Sequence, residues 1–503
     1  MLAIVRPGGR CCGERSTTTM AAISGEPRDG GRAPLSRGTL PDLAAQQPCF
    51  WRHTPVDGKI RQVMRLLALS IGLLFTGCSS MTGPNRGRFE GEIGAGREIC
   101  RIGIELRGER ALIDLPSRWT LGVEVDLGWR GGAAHLDVPE LGRLELHPAG
   151  KGLIGTLVAQ NGGTAAVRLE PAQSPAPRLH EVRFSSGDLE LAATLGVPAW
   201  PGRHPAVVLV PGGGDSMRSQ PATRFLAEYL PRLGFACLVY DKRGCGASTG
   251  NWREVGLEEL ARDALAAVAA LRARDDIDPA AIGFFAASQG TWVALEACVH
   301  AGNTVAFVVH HSGPAMPVLH ADTYALASAA QAAGLDANEH AEVAELWRLE
   351  CAAVRDGVAP AESAPLLAAL SVARQRPWFR RLPYEATGGD HWWVGWYRRV
   401  MDFDPRPRLE VVTVPMLWLF GGADSQSDVV ASLEVISRLS RDRGRPWSVH
   451  VFPRANHGIM VPLFDGATGE QPTTMANGYF DILFGWLRQN CGCTVPAGPP
   501  QSR

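Results

Sequence analysis

The stretch at residues 281–296, AIGFFAASQGTWVALE, constrains the fold of this chain more than any other. Its first half is an apolar run with one isoleucine and two phenylalanines, which is typical of a strand buried on both faces. Its second half contains Trp292, Val293 and Leu295, which are typical of a packed helix. Ser288 stands between the two halves with small residues on each side. This pattern predicts a sharp strand-to-helix turn that lifts the serine hydroxyl out of the sheet.

The turn would also leave the N–H group of Gln289 at a helix N-terminus, where it can bind a negative charge. The familiar form of this turn is G-x-S-x-G, and here Ala286 replaces the first glycine. The replacement is mild because that position requires only a very small side chain. A reactive serine needs more than this turn, so the chain must also supply an oxyanion loop before Ser288 and an acid and a histidine after it.

Length and composition narrow the class of protein. A chain of 503 residues is too long for one ordinary core, so we expect two domains and additional segments. The formal net charge of −1 argues against nucleic acid as a partner. The 11 cysteines include no C-x-x-C pair and no Cys/His cluster with zinc spacing, so we expect no metal and no cofactor. Cys491 and Cys493 form a C-x-C pair in the predicted tail, residues 491–503.

The N-terminal segment resembles an export signal preceded by unstructured chain. Residues 1–63 are rich in Gly, Pro and Arg without apolar periodicity, which predicts disorder. Residues 64–78 have a basic start, a short apolar run and Gly77-Cys78, and they resemble a bacterial lipoprotein signal peptide. Phe75 departs from the aliphatic residue usual at its position. The alternative is a buried helix, since the run is far short of the ~20 residues that a membrane span requires.

The resemblance implies a lipid on Cys78, export, and attachment to a membrane through that lipid. A signal peptide acts from the N-terminus, so we expect synthesis to begin near Met64 and residues 1–63 to reflect the choice of start site. Ser79 is not the aspartate that favours retention at the inner membrane, so we expect the outer membrane, facing the periplasm. Residues 79–87 then form a flexible tether.

Residues 88–171 show an all-β pattern. Three segments alternate apolar and polar residues and are separated by glycines: 102–106, 121–127 and 141–146. The pattern predicts a small antiparallel sandwich or an open barrel. It holds no grouping of serine, histidine and acid at a useful spacing, so we interpret it as an accessory domain without a catalytic site. Residues 172–179 form the predicted linker.

From residue 180 to residue 490 strands and helices alternate. Two short strands come first, and the further order is strand, helix, strand, helix; the predicted elements are 180–184, 189–195, 205–210, 223–233, 236–240 and 256–273. This rhythm predicts a mostly parallel sheet with helices on both faces and right-handed crossovers.

Two of these strands end in glycine-rich turns. The strand 205–210 runs into Pro-Gly-Gly-Gly-Asp at 211–215, where three glycines let backbone N–H groups point at a ligand. A plain tight turn is the alternative. The strand 236–240 ends in a second turn, which we expect Asp241 and Arg243 to hold together.

A long helical insert is predicted at about residues 313–408. It carries eight aromatic residues: Trp347, Trp378, Phe379, Tyr384, Trp392, Trp393, Trp396 and Tyr397. Such a cluster is more often simple core. Here the insert would lie over the strand ends where a parallel sheet binds ligands, so an apolar lid over a substrate is the alternative.

Further predicted strands at 414–420 and 447–452 lead to Asp424 and His457. The order Ser288, Asp424, His457, each just past a predicted strand, resembles that of serine esterases of the α/β-hydrolase superfamily. The likeness is to bacterial, serine aminopeptidase-like and secreted members. Residues 211–215 resemble their His-Gly-x-Gly oxyanion loop, with proline in place of histidine. Residues 240–248, YDKRGCGAS, resemble their Tyr-Asp-x-Arg-Gly-x-Gly-x-Ser turn. The resemblance extends to an all-β domain that precedes the catalytic domain in some secreted bacterial esterases.

The chemistry of such a site assigns a role to each residue. A serine hydroxyl becomes a nucleophile when an imidazole accepts its proton, and a carboxylate sets the imidazole tautomer. We assign these roles to Ser288, His457 and Asp424, and we assign the oxyanion hole to the N–H groups of Gly213 and Gln289. The expected substrate is a small-molecule ester, cleaved through an acyl-enzyme; thioesters and small amides stay open.

Other residues compete for the same roles. His310 and His311 are rivals of His457, although we expect them to make structural or lid contacts. Asp428 is a rival of Asp424, and we expect it to cap the helix that follows it.

Two other classes of function stay open. One is an acyltransferase or thioesterase on the same three residues, because a lid that excludes water changes which nucleophile attacks the acyl-enzyme. The other is a non-catalytic binding lipoprotein that kept the fold. The complete set of Ser, His and Asp argues against the second class.

Overall fold

A computed structural model describes residues 86–95, 98–172, 176–384, 391–464 and 472–491. The predictions for residues 1–63, for the signal peptide 64–78 with Cys78, for most of the tether and for all of the tail after Cys491 lie outside these residues. No helix in the described part of the chain combines the length and the apolar character needed to cross a bilayer.

The first domain is a closed antiparallel barrel of eight strands. In chain order the strands are β1 (Arg86–Ala95), β2 (Glu98–Arg107), β3 (Arg110–Leu115), β4 (Thr120–Arg130), β5 (Ala133–Val138), β6 (Gly142–Ala149), β7 (Gly152–Val158) and β8 (Thr164–Pro171). The predicted all-β domain is confirmed, but the expectation of a sandwich or an open barrel is wrong. Strand β1 also pairs with β8, from Phe89↔Pro171 to Gly94↔Ala166. Alternation predicts which side chains face inward, but it carries no signal for pairing between the first and last strands.

The barrel interior is filled by the apolar half of each alternating strand. Ile93, Ile104 and Leu144 are fully buried there, as expected for eight strands, whose interior is just wide enough for side chains. Leu463 and Phe464, which come from the far end of the chain, belong to the same buried cluster. The barrel therefore shares its core with the second domain.

The second domain is built on an eight-stranded sheet. Its strands are β9 (Arg178–Ser186), β10 (Leu189–Val197), β11 (His204–Val210), β12 (Ala236–Tyr240), β13 (Ile277–Ala287), β14 (Val308–His311), β15 (Met416–Gly421) and β16 (Trp447–Phe452), in the spatial order β9-β10-β12-β11-β13-β14-β15-β16. Strand β10 is antiparallel to both of its neighbours, β9 and β12. The other six strands, β11 to β16, are parallel to one another. The mostly parallel sheet is thus confirmed; it begins at Arg178, inside the predicted linker.

Helices cover both faces of this sheet, as predicted. They are α1 (Pro221–Tyr229), α2 (Leu257–Arg272), α3 (Gly290–His300), α4 (Val318–Ala332), α5 (Ala337–Arg355), α6 (Ala364–Ala373), α7 (His391–Val400), α8 (Arg406–Val411), α9 (Val429–Arg443) and α10 (Tyr479–Asn490). One buried cluster lies under α2, α3 and α9, and another lies under α1 and α10. A two-stranded hairpin, β17 (Met460–Pro462) and β18 (Thr473–Met475), precedes α10. Cys491, placed in the tail by the sequence, is buried at the end of α10.

The predicted insert consists of α4 to α8, between β14 and β15. Its aromatic residues Trp347, Trp378, Trp396 and Tyr397 are buried in the main core, which confirms the interpretation as core; the side chain of Trp392 lies outside the description. Tyr324 of α4 donates its hydroxyl hydrogen to the main-chain oxygen of Asp424 at 3.3 Å, so α4 lies at the carboxyl ends of the strands. The role as a lid over substrate stays a prediction.

Candidate active site

The turn between β13 and α3 has the sharp geometry predicted for Ser288. This residue has a φ angle of +50°, a left-handed conformation that is costly for a side chain other than glycine. A Cβ atom at Gly290 would lie 2.4 Å from the main-chain oxygen of Val210, so no side chain fits there. The turn therefore presses against the end of β11, and the strained conformation exposes the Ser288 side chain beyond the sheet.

The loop after β15 carries the predicted acid. Asp424 is 4% exposed, and its Oδ1 atom accepts hydrogen bonds from the N–H groups of Gln426 and Ser427 at 2.7 and 3.0 Å. These bonds anchor one carboxylate oxygen and leave Oδ2 for a third partner. Burial with several donors is the setting in which a carboxylate keeps one orientation.

Ser288, His457 and Asp424 form one chain of hydrogen bonds. His457 Nδ1–H donates to Asp424 Oδ2 at 2.8 Å, and Ser288 Oγ–H donates to His457 Nε2 at 3.0 Å. A carboxylate only accepts hydrogen bonds, so it holds the imidazole proton on Nδ1 and leaves the Nε2 lone pair facing the hydroxyl. The structure thus brings together, from three strand ends, the three residues that the sequence singles out.

The glycine-rich loop after β11 lies beside the serine. A Cβ atom at Gly212 would lie 3.7 Å from Ser288 Cβ, an ordinary van der Waals distance, so the loop runs directly alongside the nucleophile. Neither the Gly213 N–H nor the Gln289 N–H donates to a protein acceptor within the described residues. Both groups are therefore available to a ligand, and their role as an oxyanion hole stays a prediction.

The rival acid has a different task. Asp428 Oδ1 accepts the Ala431 N–H at 3.0 Å and caps α9, which confirms the expected capping role. Its Oδ2 atom bonds to His320 Nε2 at 3.0 Å. Among the described residues, Asp428 makes no hydrogen bond or ion pair with His457.

The rival histidines are buried structural residues. His310 is fully buried and stacks on Trp418 with 3.8 Å between ring centroids, and burial lowers its pKa to about 3. His311 Nδ1 bonds to the Tyr479 hydroxyl at 2.8 Å, and burial together with the nearby His457 lowers the pKa of His311 to about 3. Both imidazoles are therefore neutral at physiological pH, and within the described part of the chain their ring hydrogen bonds go to Thr291 and Tyr479 rather than to Ser288.

The turn after β12 is held as the sequence suggests, with one difference. Asp241 accepts N–H bonds from Arg218 and Ala247 at 2.7 and 2.8 Å, so it does hold the turn together. Arg243 instead makes two bonds of 2.7 Å to Asp263, so it fixes the turn to α2.

Two residues near the site escaped the sequence analysis. Lys242 is 3% exposed, and its ammonium donates to the main-chain oxygens of Gly212 and Gly214 at 2.6 and 2.8 Å. Trp119 of the barrel packs edge-to-face against His311, with 5.6 Å between ring centroids. The sequence signal for Lys242 was its place in the turn motif; the contact of Trp119 has no local signal.

The described residues hold no group of three or more His, Cys, Asp and Glu side chains arranged to bind a metal ion.

Residues 205–460 match the family described as the alpha/beta hydrolase fold. The match covers half of the chain, and the chain therefore belongs to this family.

Curated relatives resemble parts of the chain. The acyltransferase drtE of Aspergillus calidoustus is 36% identical over 123 residues, which are 24% of this chain and 38% of that protein. The mitochondrial palmitoyl-protein thioesterase ABHD10 of Homo sapiens is 29% identical over 98 residues, which are 20% of this chain and 30% of that protein. The chain thus spans about a third of the length of these relatives. Among solved structures, the Pyrococcus furiosus esterase PF2001 is 16% identical with a TM-score of 0.41, covering 63% of this chain and 92% of that one.

Proposed function

We propose that this protein is a serine hydrolase that cleaves carboxylic esters through an acyl-enzyme. The observation that carries the proposal is the hydrogen-bond chain from Ser288 through His457 to the buried Asp424. The membership in the alpha/beta hydrolase family supports it. Thioesters and small amides fall within the same chemistry, because each presents a carbonyl carbon to the same nucleophile.

The geometry supplies each proton transfer of such a reaction. Ser288 Oγ attacks the carbonyl carbon while its proton passes to His457 Nε2, and Asp424 stabilises the resulting imidazolium. The N–H groups of Gly213 and Gln289 would hold the oxyanion, at about 3 kcal/mol per donor. The oxyanion then collapses, the alkoxide leaves with the proton from His457, and the acyl group stays on Ser288. Water repeats the sequence, releasing the acid and restoring the hydroxyl.

The replacement Ser288→Ala tests the proposal. We expect kcat for a p-nitrophenyl ester to fall by roughly 10⁶-fold, as in other enzymes that lose this nucleophile. A fluorophosphonate probe should label the wild type at Ser288 and leave Ser288→Ala unlabelled. Ser371→Ala, at an exposed position on α6, is the matched control and should keep both the ester hydrolysis and the labelling of the wild type. Labelling at any other serine, or an inert wild type, would contradict the proposal.

Transfer of the acyl group to an acceptor other than water is the second candidate. It is favoured by the acyltransferase among the relatives and by α4, which lies over the strand ends next to Asp424. Product analysis in the presence of an added alcohol or thiol separates the two. A hydrolase releases mainly free acid, whereas a transferase releases mainly the new ester or thioester.

We also propose that the enzyme is tethered to a membrane by a lipid on Cys78, which lies outside the described residues. The support is the signal-like pattern at residues 64–78. Expression from Met64 in a bacterial host with labelled fatty acid should give labelled, membrane-bound protein. Cys78→Ala should abolish the label; a label that persists would disprove the assignment.

A further inference from the structure

Lys242 places a charged ammonium group in a buried position. No carboxylate lies within ion-pairing distance of it in the described part of the chain, and an isolated buried charge is costly. The chain has 50 lysine and arginine residues, of which three are lysines: Lys59, Lys151 and Lys242. A chain that uses arginine almost everywhere has a lysine at this one buried position. The contacts of the ammonium supply the reason.

Both strong contacts of Lys242 are to the glycine-rich loop. The ammonium donates to Gly212 O at 2.6 Å and to Gly214 O at 2.8 Å, and it lies 5.1 Å from the centre of the Trp252 ring. A compact ammonium can donate in several directions from one atom, whereas the planar guanidinium of arginine presents its donors as a fork. The two carbonyl groups therefore converge on a point donor.

These contacts determine where the N–H groups of the loop point. The oxygen of Gly212 and the N–H of Gly213 belong to the same planar trans peptide, so they point in opposite directions. By binding Gly212 O, Lys242 holds the Gly213 N–H pointing away from itself. Glycines adopt many backbone conformations, so without this restraint the peptide could turn over at little cost.

We propose that Lys242 is a positioning residue of the oxyanion hole. Its ammonium orients the Gly213 N–H, polarises that peptide, and places a positive charge behind the group that binds the oxyanion. The inference rests on the proposed function, because an oxyanion forms only if Ser288 attacks a carbonyl. Lys242 acts through the loop and touches no reacting atom.

The surroundings make the ammonium sensitive to pH. Burial lowers the pKa of Lys242 to about 8, although the neighbouring Cys245 and Asp215 oppose this shift. Arg253 also faces this region, and it pairs with Asp215 at 2.7 Å. A neutral amine has fewer donors and no charge, so the loop loses most of this restraint as pH rises above 8.

The replacement Lys242→Met tests the proposal, because methionine has an unbranched side chain of similar length and no hydrogen-bond donor. We expect kcat for a p-nitrophenyl ester to fall by about 10- to 100-fold, somewhat less than for loss of an oxyanion donor itself. KM should change less than about threefold, since the effect is on the transition state. Lys151→Met, on the barrel and exposed, is the control and should match the wild type.

The pH profile separates positioning from a merely structural role. In the wild type kcat should decline above about pH 8, and in Lys242→Met this decline should be absent. The folded chain loses the Lys242 proton near pH 8, while an unfolded lysine keeps it to about pH 10. The unfolded chain therefore binds more protons in this window, and the group makes stability rise with pH. Activity should thus fall where the contribution of Lys242 to stability increases.

An unchanged kcat and pH profile in Lys242→Met would overturn the inference while leaving the proposed function intact. An inert, unlabelled wild type would overturn the proposed function itself. If Lys242→Met does not fold, the wild-type profile decides. A decline in kcat above pH 8 without a fall in melting temperature supports the inference, and a flat kcat profile to about pH 9.5 refutes it.

Discussion

The barrel and the sheet domain use buried charge in different ways. In the barrel, Asp114 is 6% exposed and pairs with Arg88 at 2.6 Å and with Arg232, from the segment after α1, at 3.2 Å. Glu98, also 6% exposed, pairs with Arg454 of the sheet domain. Each buried carboxylate of the barrel therefore reaches into the other domain. These buried carboxylates therefore help to attach the barrel to the sheet domain.

In the sheet domain several buried charges hold the loops at the carboxyl ends of the parallel strands. Asp424 orients His457, Lys242 holds the loop after β11, and Arg243 with Asp263 fixes the turn after β12. Strand ends leave unpaired backbone groups and loops there, so this edge is where a parallel sheet places its ligand site. These buried charges therefore hold the loops around the candidate site.

The two uses meet at the loop that carries His457. Arg454, three residues before His457, pairs with Glu98 of the barrel, and Leu463 and Phe464, soon after it, are buried in the barrel core. The barrel thus contacts both flanks of this loop, although it contributes no side chain to the hydrogen-bond chain. The expected absence of catalytic residues in the barrel stays a prediction, but the barrel is packed against the site more closely than an independent accessory domain would be.

The largest effect is expected from a change at the carboxyl ends of the strands in the sheet domain. Asp424→Asn should lower kcat by about 10⁴-fold, because an amide in this position favours the wrong imidazole tautomer. The matched control is Asp428→Asn, which caps α9 and should cost only about 0.5–1 kcal/mol of stability. Both variants should be compared for kcat and melting temperature in the same buffer. An inactive Asp428→Asn beside a nearly normal Asp424→Asn would exchange the two roles.

A change in the barrel should instead show in stability. Asp114→Asn takes the counter-charge from Arg232 and leaves Arg88 only its more exposed partners, Glu90 at 3.1 Å and Glu105 at 4.0 Å. We expect a loss of about 2–3 kcal/mol in the free energy of unfolding. The value is below that of a fully buried pair because both guanidinium groups keep some contact with water. Asp126→Asn, whose side chain is 94% exposed, is the control and should change stability by less than about 0.5 kcal/mol. Equal denaturant midpoints for Asp114→Asn and Asp126→Asn would contradict the role of Asp114 in attaching the barrel to the sheet domain.

The smallest effect is expected from two tryptophan replacements, one at the contact between the domains and one within the barrel. Trp119 Nε1–H donates to Met475 Sδ at 2.8 Å, so Trp119→Phe loses this bond and about 1 kcal/mol while keeping most of the ring contacts. The buried Trp129 Nε1 has no acceptor in the described residues, so Trp129→Phe removes an unsatisfied donor and should be neutral or stabilising. Thermal unfolding of both variants measures the difference. A larger loss of stability for Trp129→Phe than for Trp119→Phe would contradict this prediction.

The sequence by itself predicted the strands of the sheet domain, the all-β character of the barrel and the three residues of the candidate site. The apolar run before Ser288 and the small residues around it encode the strand and the turn locally, through burial and steric limits on the backbone. The positions of Asp424 and His457 just past strands placed them at one edge, because parallel strands end on the same side.

Only the tertiary structure decided how the parts meet. Closure of the barrel, the contacts of Lys242 with Gly212 and Gly214, and the burial of Phe464 in the barrel each join residues from different elements. Periodicity records which face of an element is apolar, and it is the same whichever partner covers that face. A lysine in a turn likewise has the same local pattern whether it faces water or two carbonyl oxygens. Such contacts depend on how the whole chain packs, because they arise when hydrophobic burial brings distant segments together and the buried polar groups must find partners.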